Sequence, residues 1–269
     1  MIIDAHHHLL TKSGYLEKLV SECRRLGIGK VCLFGAGKRE LNYGCATNEE
    51  VRETMGKYPE LIIGFAYFNL GEDSAEQIDE FVKQGFKGIK FINPTKDYDD
   101  KEFYPVYRRV EVHRIPALFH LGIVSRTPAD KSYDVNNNRH RPIYLDTIAR
   151  AFPDLNIIGA HFGNPWLEEA AMAARWNPNL YFDLSGSLLK CKSAQFLGEL
   201  LWWTSESRYR DPLGRHAWEK IVFGSDVPAE EIEDVLNDYR KMMQQLNLSS
   251  EIQKKVLGGT MAKILGLEK

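Results

Sequence analysis

Residues 1–10, MIIDAHHHLL, place three histidines, His6, His7 and His8, directly behind a short apolar run and one aspartate. An expression tag would be a longer run outside the fold, whereas this cluster continues into Leu9 and Leu10 as one strand-like stretch. Successive side chains of a strand point to opposite faces, so His6 and His8 share a face and His7 takes the other. At ~3.3 Å per residue the pair is about 7 Å apart by Cα, within reach of one cation. Taken alone, an HxH pair is weak evidence for a metal, because histidines fall two apart by chance.

Seven more runs of the same apolar, β-branched and aromatic character follow: KVCLFG, LIIGFAYFNL, FKGIKFIN, PALFHLG, LNIIGAHFG, LYFDLSG and KIVFGSD. Amphipathic, helix-like stretches lie between and after them, from GYLEKLVSECRRLG to EEIEDVLNDYRKMMQQL. In the last of these, Ile232, Val235, Leu236, Tyr239, Met242 and Met243 recur at spacings of three and four, which marks one buried helical face. Alternating strands and helices predict an α/β fold with a parallel sheet, and eight units predict its closure into a (β/α)₈ TIM barrel. An open doubly wound sheet would call for a GxGxxG turn after the first strand, and none is there. At 269 residues the chain is close to the ~250 typical of one such barrel, so residues 1–269 are expected to form a single domain.

The formal charge of −2 gives no basic field to hold nucleic acid or an anionic membrane. The expected partner is a small-molecule substrate, and a homo-oligomer is compatible with the composition. Apolar runs such as LIIGFAYF fall well below the ~18 residues of a membrane span, and no signal-peptide pattern opens the chain, so a cytoplasmic location is expected. Cys23, Cys32, Cys45 and Cys191 show no CxxC spacing and no dense disulfide framework, and are expected to be reduced and mostly buried.

Polar residues end several of the predicted strands. His120 closes ALFHLG, His161 closes IIGAHFG and Asp226 closes IVFGSDVP, each followed within two residues by Gly or Pro. Singly, each reads as a satisfied histidine or a helix-capping aspartate. Together with His6 and His8 they put four histidines and a carboxylate on the rim where barrel enzymes build their sites. Two long connections, about 122–141 and 185–216, leave the same rim; the second contains Trp202, Trp203, Arg208, Tyr209 and Arg210.

The segments IDAHHH, GFKGIKF, PALFHLG, IIGAHFGNP, LYFDLSG and FGSDVP, closing with LGGTMAKILGL, resemble the amidohydrolase-2 branch of the amidohydrolase superfamily over nearly the whole chain. That branch includes hydrolases, lactonases and decarboxylases related to aminocarboxymuconate-semialdehyde decarboxylase. The resemblance implies that His6, His8, His120 and Asp226 are metal ligands and that His161 is the catalytic histidine. Asp183 matches the seventh-strand aspartate, with no role assigned. Thr260 stands where members often carry Asn, a variation at the start of a helix. Lys90 ends the fourth strand, where other branches use a carboxylated lysine to bridge two metals; with one metal usual in this branch, Lys90 reads as substrate-binding or structural.

Nitrogen and oxygen ligands with an open position suit Zn²⁺, with Mn²⁺, Fe²⁺ or Co²⁺ accepting the same set. One divalent ion would lower the pKa of a water to about 7 and polarise a substrate oxygen. Asp226 would take the water's proton and His161 would polarise the carbonyl or protonate the leaving group, which makes these two the catalytic candidates. Arg126, Arg139 and Arg141 on the fifth loop offer planar forks for a substrate carboxylate, although each also reads as a solvated loop arginine. The expected activity is therefore metal-dependent hydrolysis of a small, carboxylated lactone, amide or ester. The alternatives are a non-oxidative decarboxylase using the same residues and a catalytically silent barrel that binds metal or ligand. His113 and His216 receive no chemistry, and His140 is undecided.

Overall fold

The structure, a computed structural model, describes residues 1–204 and 214–267; Arg208, Tyr209 and Arg210 lie outside the described residues. Eight parallel strands follow one another in chain order: β1 (Ile2–His8), β2 (Ile28–Phe34), β3 (Ile62–Tyr67), β4 (Gly88–Phe91), β5 (Ala117–Phe119), β6 (Ile157–Gly159), β7 (Leu180–Asp183) and β8 (Ile221–Val222). Each pairs with the next, and the gap between β8 and β1 is bridged by Ala5 N–H to Phe223 O and Asp226 N–H to His6 O, both 2.8 Å. The ring is the (β/α)₈ barrel that the alternation predicts, with helices over its outer face.

Strand parity sorts the apolar residues into two layers. Val31, Leu33, Ile89, Phe91, Leu180 and Phe182 pack outward against helix residues such as Leu19, Val51 and Ile78. Their neighbours Cys32, Phe34, Phe65, Leu118, Ile158 and Val222 form a second cluster with Ile3, Ala5 and with Met261 and Ile264 of the helix Thr260–Ile264. Burial of both faces explains why these strands read as nearly continuous apolar runs. The helix Ile232–Gln245 buries the six residues its periodicity singles out. From that face the Tyr239 hydroxyl accepts from Leu184 N–H at 2.7 Å and donates to Val222 O at 3.3 Å, tying β7 to β8 beneath the rim.

Both long connections carry structure of their own. The first holds short 3₁₀ turns at Pro128–Ser132 and Asn137–His140 and is pinned to the barrel by Arg39, which donates to Ser125 O at 2.6 Å and to Asp130 Oδ1 at 2.9 Å. Pro142 stands at the N-cap position of the helix Ile143–Ala151. The second begins with the helices Leu188–Cys191 and Ala194–Leu200 and packs on a buried Trp203. Cys23 and Cys32 are buried thiols, whereas Cys45 is half-buried and Cys191 exposed; none forms a disulfide among the described residues. No helix of the described residues is long and apolar enough to cross a membrane.

Candidate metal centre

The first strand does more than alternate. Asp4 pairs with Val31 and His7 with Leu33, so Ala5 and His6 together stand opposite Cys32 alone. This is a β-bulge, two residues against one, and it resets the strand's parity. Ile3 and Ala5 point into the barrel below it, while above it His6 also points in, its ring 5.1 Å from that of Phe34. Asp4 and His7 both turn outward, with Asp4 Oδ2 and His7 Nδ1 3.7 Å apart. Strict alternation from Ile3 would have put His6 and His8 among the helices. His7 is fully used there: its Nδ1 lies 2.9 Å from Ser225 Oγ and its Nε2 accepts from Tyr15 OH at 2.9 Å. Ser225 Oγ in turn donates to Asp4 Oδ2 at 2.6 Å, which leaves His7 Nδ1 as the donor of that pair.

Inside the barrel a second set of bonds orients the imidazoles. Asp183 at the end of β7 accepts from His6 Nδ1 through Oδ2 at 2.8 Å. Its Oδ1 accepts from His161 N–H and Ser185 N–H, both 2.9 Å, and from Ser185 Oγ at 2.5 Å. Since the Ser185 hydroxyl proton goes to Asp183, its oxygen accepts from His161 Nδ1 at 2.9 Å. Both histidines thus carry the proton on Nδ1 and aim the Nε2 lone pair at the barrel mouth, as carboxylate-oriented metal histidines do. His161 and Asp226 sit in turns just beyond β6 and β8 with φ of 56° and 47°, a region uncommon for residues other than glycine. Their backbone N–H groups are held by Asp183 Oδ1 and His6 O, so the site itself fixes these conformations.

The resulting geometry is compact. Asp226 Oδ1 lies 3.6 Å from His6 Nε2 and 3.6 Å from His8 Nε2, and Asp226 Oδ2 lies 3.7 Å from His161 Nε2. Ligands about 2.1 Å from a tetrahedral ion stand about 3.4 Å apart, so His6, His8 and Asp226 are spaced for one cation. Their ligand atoms all fall within 4.8 Å of one another. Gly224 makes this possible, since a Cβ there would come 2.9 Å from His6 Cβ and 3.0 Å from Asp183 Cβ.

His120 directly follows β5. Its ring is 4.9 Å from that of His161, and its buried Nε2 has no hydrogen-bond partner among the described residues, yet it lies outside the close trio. Lys90 Nζ is 3.1 Å from His6 Nε2 and 4.9 Å from the Phe34 ring centre, at the centre itself.

Burial sets the electrostatics. It pushes the His8 pKa down to about 3 against the attraction of Asp226, and it holds His120 and His161 below the usual imidazole range. These rings are therefore neutral and ready to ligate. Burial also brings Lys90 down to about 8, opposed by Asp226 and Asp183. For Asp183 and Asp226 burial acts upward, but His6 and the other surrounding groups outweigh it and keep both carboxylates ionised.

The three loop arginines are not gathered here. Arg126 is exposed; Arg139 Nη1 donates to Pro94 O at 3.1 Å and Asp134 Oδ2 at 2.7 Å; Arg141 pairs with Glu169 and stacks on Trp166. His140, undecided from sequence, accepts Asn93 N–H on Nε2 at 3.1 Å. Ser185, Asp4 and Ser225 went unread in the sequence, although the D-x-S spacing at 183–185 and the D-x-H spacing at 4–6 were visible signals.

Comparison with known proteins bears on the family and the fold. The chain matches the Amidohydrolase family model over residues 3–267. An uncharacterised TIM-barrel protein from Bordetella bronchiseptica superposes with a TM-score of 0.71 at 18% identity over 98% of each chain. For 5-carboxyvanillate decarboxylase from Sphingomonas paucimobilis the values are 0.67 and 13%, again over 98% of each chain. Dihydropyrimidinase from Brevibacillus agri gives 0.60 and 13%, covering 99% of this chain and 70% of the other. At such identities the likeness shows the shared fold, and the comparison with curated proteins found no match. The family match spans nearly every residue and both ends of the site, and by it the chain belongs to the amidohydrolase family, in its amidohydrolase-2 branch.

Proposed function

We propose that this protein is a metal-dependent hydrolase of a small lactone, amide or ester, with one divalent cation, Zn²⁺ in the first instance, held by His6, His8 and Asp226 and flanked by His120. The observation that carries this reading is the pair of 3.6 Å separations from Asp226 Oδ1 to two imidazole nitrogens, the first of which is oriented by Asp183. The cation would supply Lewis acidity and a water acidified to a pKa of about 7. Asp226 Oδ2 accepts the proton that the attacking water gives up. His161 Nε2, 3.7 Å away, is the next acceptor, and the resulting imidazolium, steadied through Ser185 and Asp183, offers that proton to the leaving atom. Lys90 Nζ sits where it can bind a substrate oxygen. A substrate carboxylate, expected from the loop arginines, would have to draw Arg139 from Asp134 or Arg141 from Glu169. Replacing both arginines with methionine tests that part: an unchanged KM removes the carboxylate.

The reading as a whole is tested by stripping metal with a chelator, restoring one equivalent of Zn²⁺, and screening lactones, amides and esters in ¹⁸O-labelled water. Metal-dependent turnover with ¹⁸O in the product is expected. Release of CO₂ without label would replace hydrolysis by the decarboxylation that the Sphingomonas structural neighbour is named for. Retained metal with no turnover would leave a binding barrel.

A further inference from the structure

Elsewhere on the rim, polar side chains serve one another. A cavity of ≈ 100 Å³ opens there, its wall including Lys38, Arg39, Glu40, Asn93 and Arg139. Its donors converge on one acid, with Arg39 Nη1 at 3.2 Å and Asn93 Nδ2 at 3.0 Å both donating to Glu40 Oε1. The outer face of β1 carries hydrogen bonds of another kind, whose far end lands on the backbone of the residues that form the trio His6, His8 and Asp226.

All of its donors run one way. Tyr15, first residue of the helix Tyr15–Leu26, donates from its hydroxyl to His7 Nε2 at 2.9 Å; His7 Nδ1 donates to Ser225 Oγ at 2.9 Å, and Ser225 Oγ to Asp4 Oδ2 at 2.6 Å. Asp4 Oδ1 then accepts two backbone groups, His6 N–H at 3.1 Å and Ser225 N–H at 2.9 Å. His6 belongs to the bulge of β1, and Ser225 immediately precedes Asp226. Asp4, His7 and Ser225 are fully buried, so a bond lost here is not replaced by water. The wiring repeats that of the inner set, where His161 Nδ1 donates to Ser185 Oγ, Ser185 Oγ to Asp183, and Asp183 Oδ1 holds two backbone N–H groups. The difference is the remaining nitrogen. His161 Nε2 faces the barrel mouth, whereas His7 Nε2 is taken by Tyr15.

These bonds lie where the barrel closes. Ladders join β1 to β8 in chain order, and across the last joint, from β8 back to β1, the described residues show two backbone bonds, Ala5 N–H to Phe223 O and Asp226 N–H to His6 O. His6 and His8 stand on one side of that joint and Asp226 on the other, yet their 3.6 Å spacings must hold to within about 0.5 Å for one ion to be bound. Asp4 grips both sides at once. We propose that Asp4, His7 and Ser225 are positioning residues that hold Asp226 against His6 and His8, and that Tyr15 keeps them in register by fixing the His7 proton on Nδ1. Resting on the metal-centre reading, this relay acts through the trio and touches no substrate. Without the Tyr15 hydroxyl the His7 proton can pass to Nε2; Nδ1 then accepts, the Ser225 hydroxyl turns to it, and Asp4 loses its shortest bond.

The test uses the full chain. In the metal-free protein, long-range ¹H–¹⁵N spectra report the His7 tautomer, and amide exchange at Asp226 reports its bond to His6 O; Zn²⁺ affinity is read by competition with a chromophoric chelator. The parent should show His7 protonated on Nδ1 and a protected Asp226 amide. Tyr15→Phe should mix the tautomers, speed Asp226 exchange and weaken Zn²⁺ several-fold, while the amides of β4, remote from the joint, exchange as in the parent. His7→Leu should weaken Zn²⁺ by about 10–100-fold, and His7→Asn, whose Nδ2 takes the place of the ring's Nδ1, should recover most of that loss. Should His7→Leu fail to fold, Tyr15→Phe, which removes one oxygen, decides. A parent His7 protonated on Nε2, an Asp226 amide that exchanges alike in parent and Tyr15→Phe, or a Zn²⁺ affinity unchanged in the variants would overturn the proposal. A parent that binds no Zn²⁺ removes the hydrolase reading, and the tautomer and exchange measurements still decide the relay. A failed relay beside tight Zn²⁺ binding does the reverse.

Discussion

The metal centre and the rim cavity use the same residue types to opposite ends. At the centre, carboxylates are consumed in orienting imidazoles: Asp183 alone accepts from His6, His161 and Ser185. At the cavity, guanidiniums are consumed in orienting carboxylates, and Glu40 keeps one oxygen in hand. The first arrangement directs lone pairs at an electrophile. The second leaves a buried carboxylate oxygen with no partner among the described residues. What a buried acid can orient is thus decided by how many donors its own chain sends it.

The largest effect should come from breaking the centre at a ligand. His6→Ala removes the imidazole that Asp183 holds, and bound metal, measured by elemental analysis after gel filtration, is expected to vanish with it, while the rim cavity, which shares no residue with the trio, keeps its hydrogen bonds. Gly224→Ala comes next. The new methyl meets His6 and Asp183 at 2.9–3.0 Å, contacts that overpack a rigid corner at a cost of ~1–3 kcal/mol, read by urea unfolding, and that push His6 off its aim, read by metal titration. Asp183→Asn should keep the fold and lower metal affinity by about 10–100-fold, the usual toll for losing a partner behind a ligand, and an unchanged affinity would deny Asp183 its orienting role.

The smallest effect lies between the two regions, at His140. Burial, with Arg139, Arg39 and Lys90 adding, pushes its pKa down to about 3, whereas the unfolded chain takes up a proton there at about 6.5. The contribution to stability is therefore complete above about pH 6.5 and is lost as pH falls from there toward 3. At about pH 5 the loss is on the order of 2 kcal/mol, and His140→Gln should remove most of it in paired urea melts at about pH 7 and about pH 5. If the variant and parent lose stability in parallel, His140 is not the group responsible.

Much of this was legible in the chain itself. Eight apolar runs and their spacing carry the barrel because strands buried on both faces must be apolar throughout. The end positions of His120, His161 and Asp226 are visible because a polar residue terminating such a run has only the rim to go to. What stayed hidden depends on partners far away in sequence. The register of β1 is set by β2, so the bulge at Ala5 and His6 cannot be seen in MIIDAHHHLL. Glu40 lies in a four-residue helical turn that reads as a connector, and its environment is made by Asn93 and Arg39. His140 looked like one more loop residue until its bond to Asn93 was seen.

The extra residue in the first strand also limits what can be borrowed from it. A designer who moved only the three histidines onto a regular strand, continuing the phase of the residues before them, would find the outer pair pointing into the helical shell. The transferable unit is the whole run from Ile3 to His8 together with a neighbour that skips a beat opposite it, a small dislocation without which the motif is only a spelling.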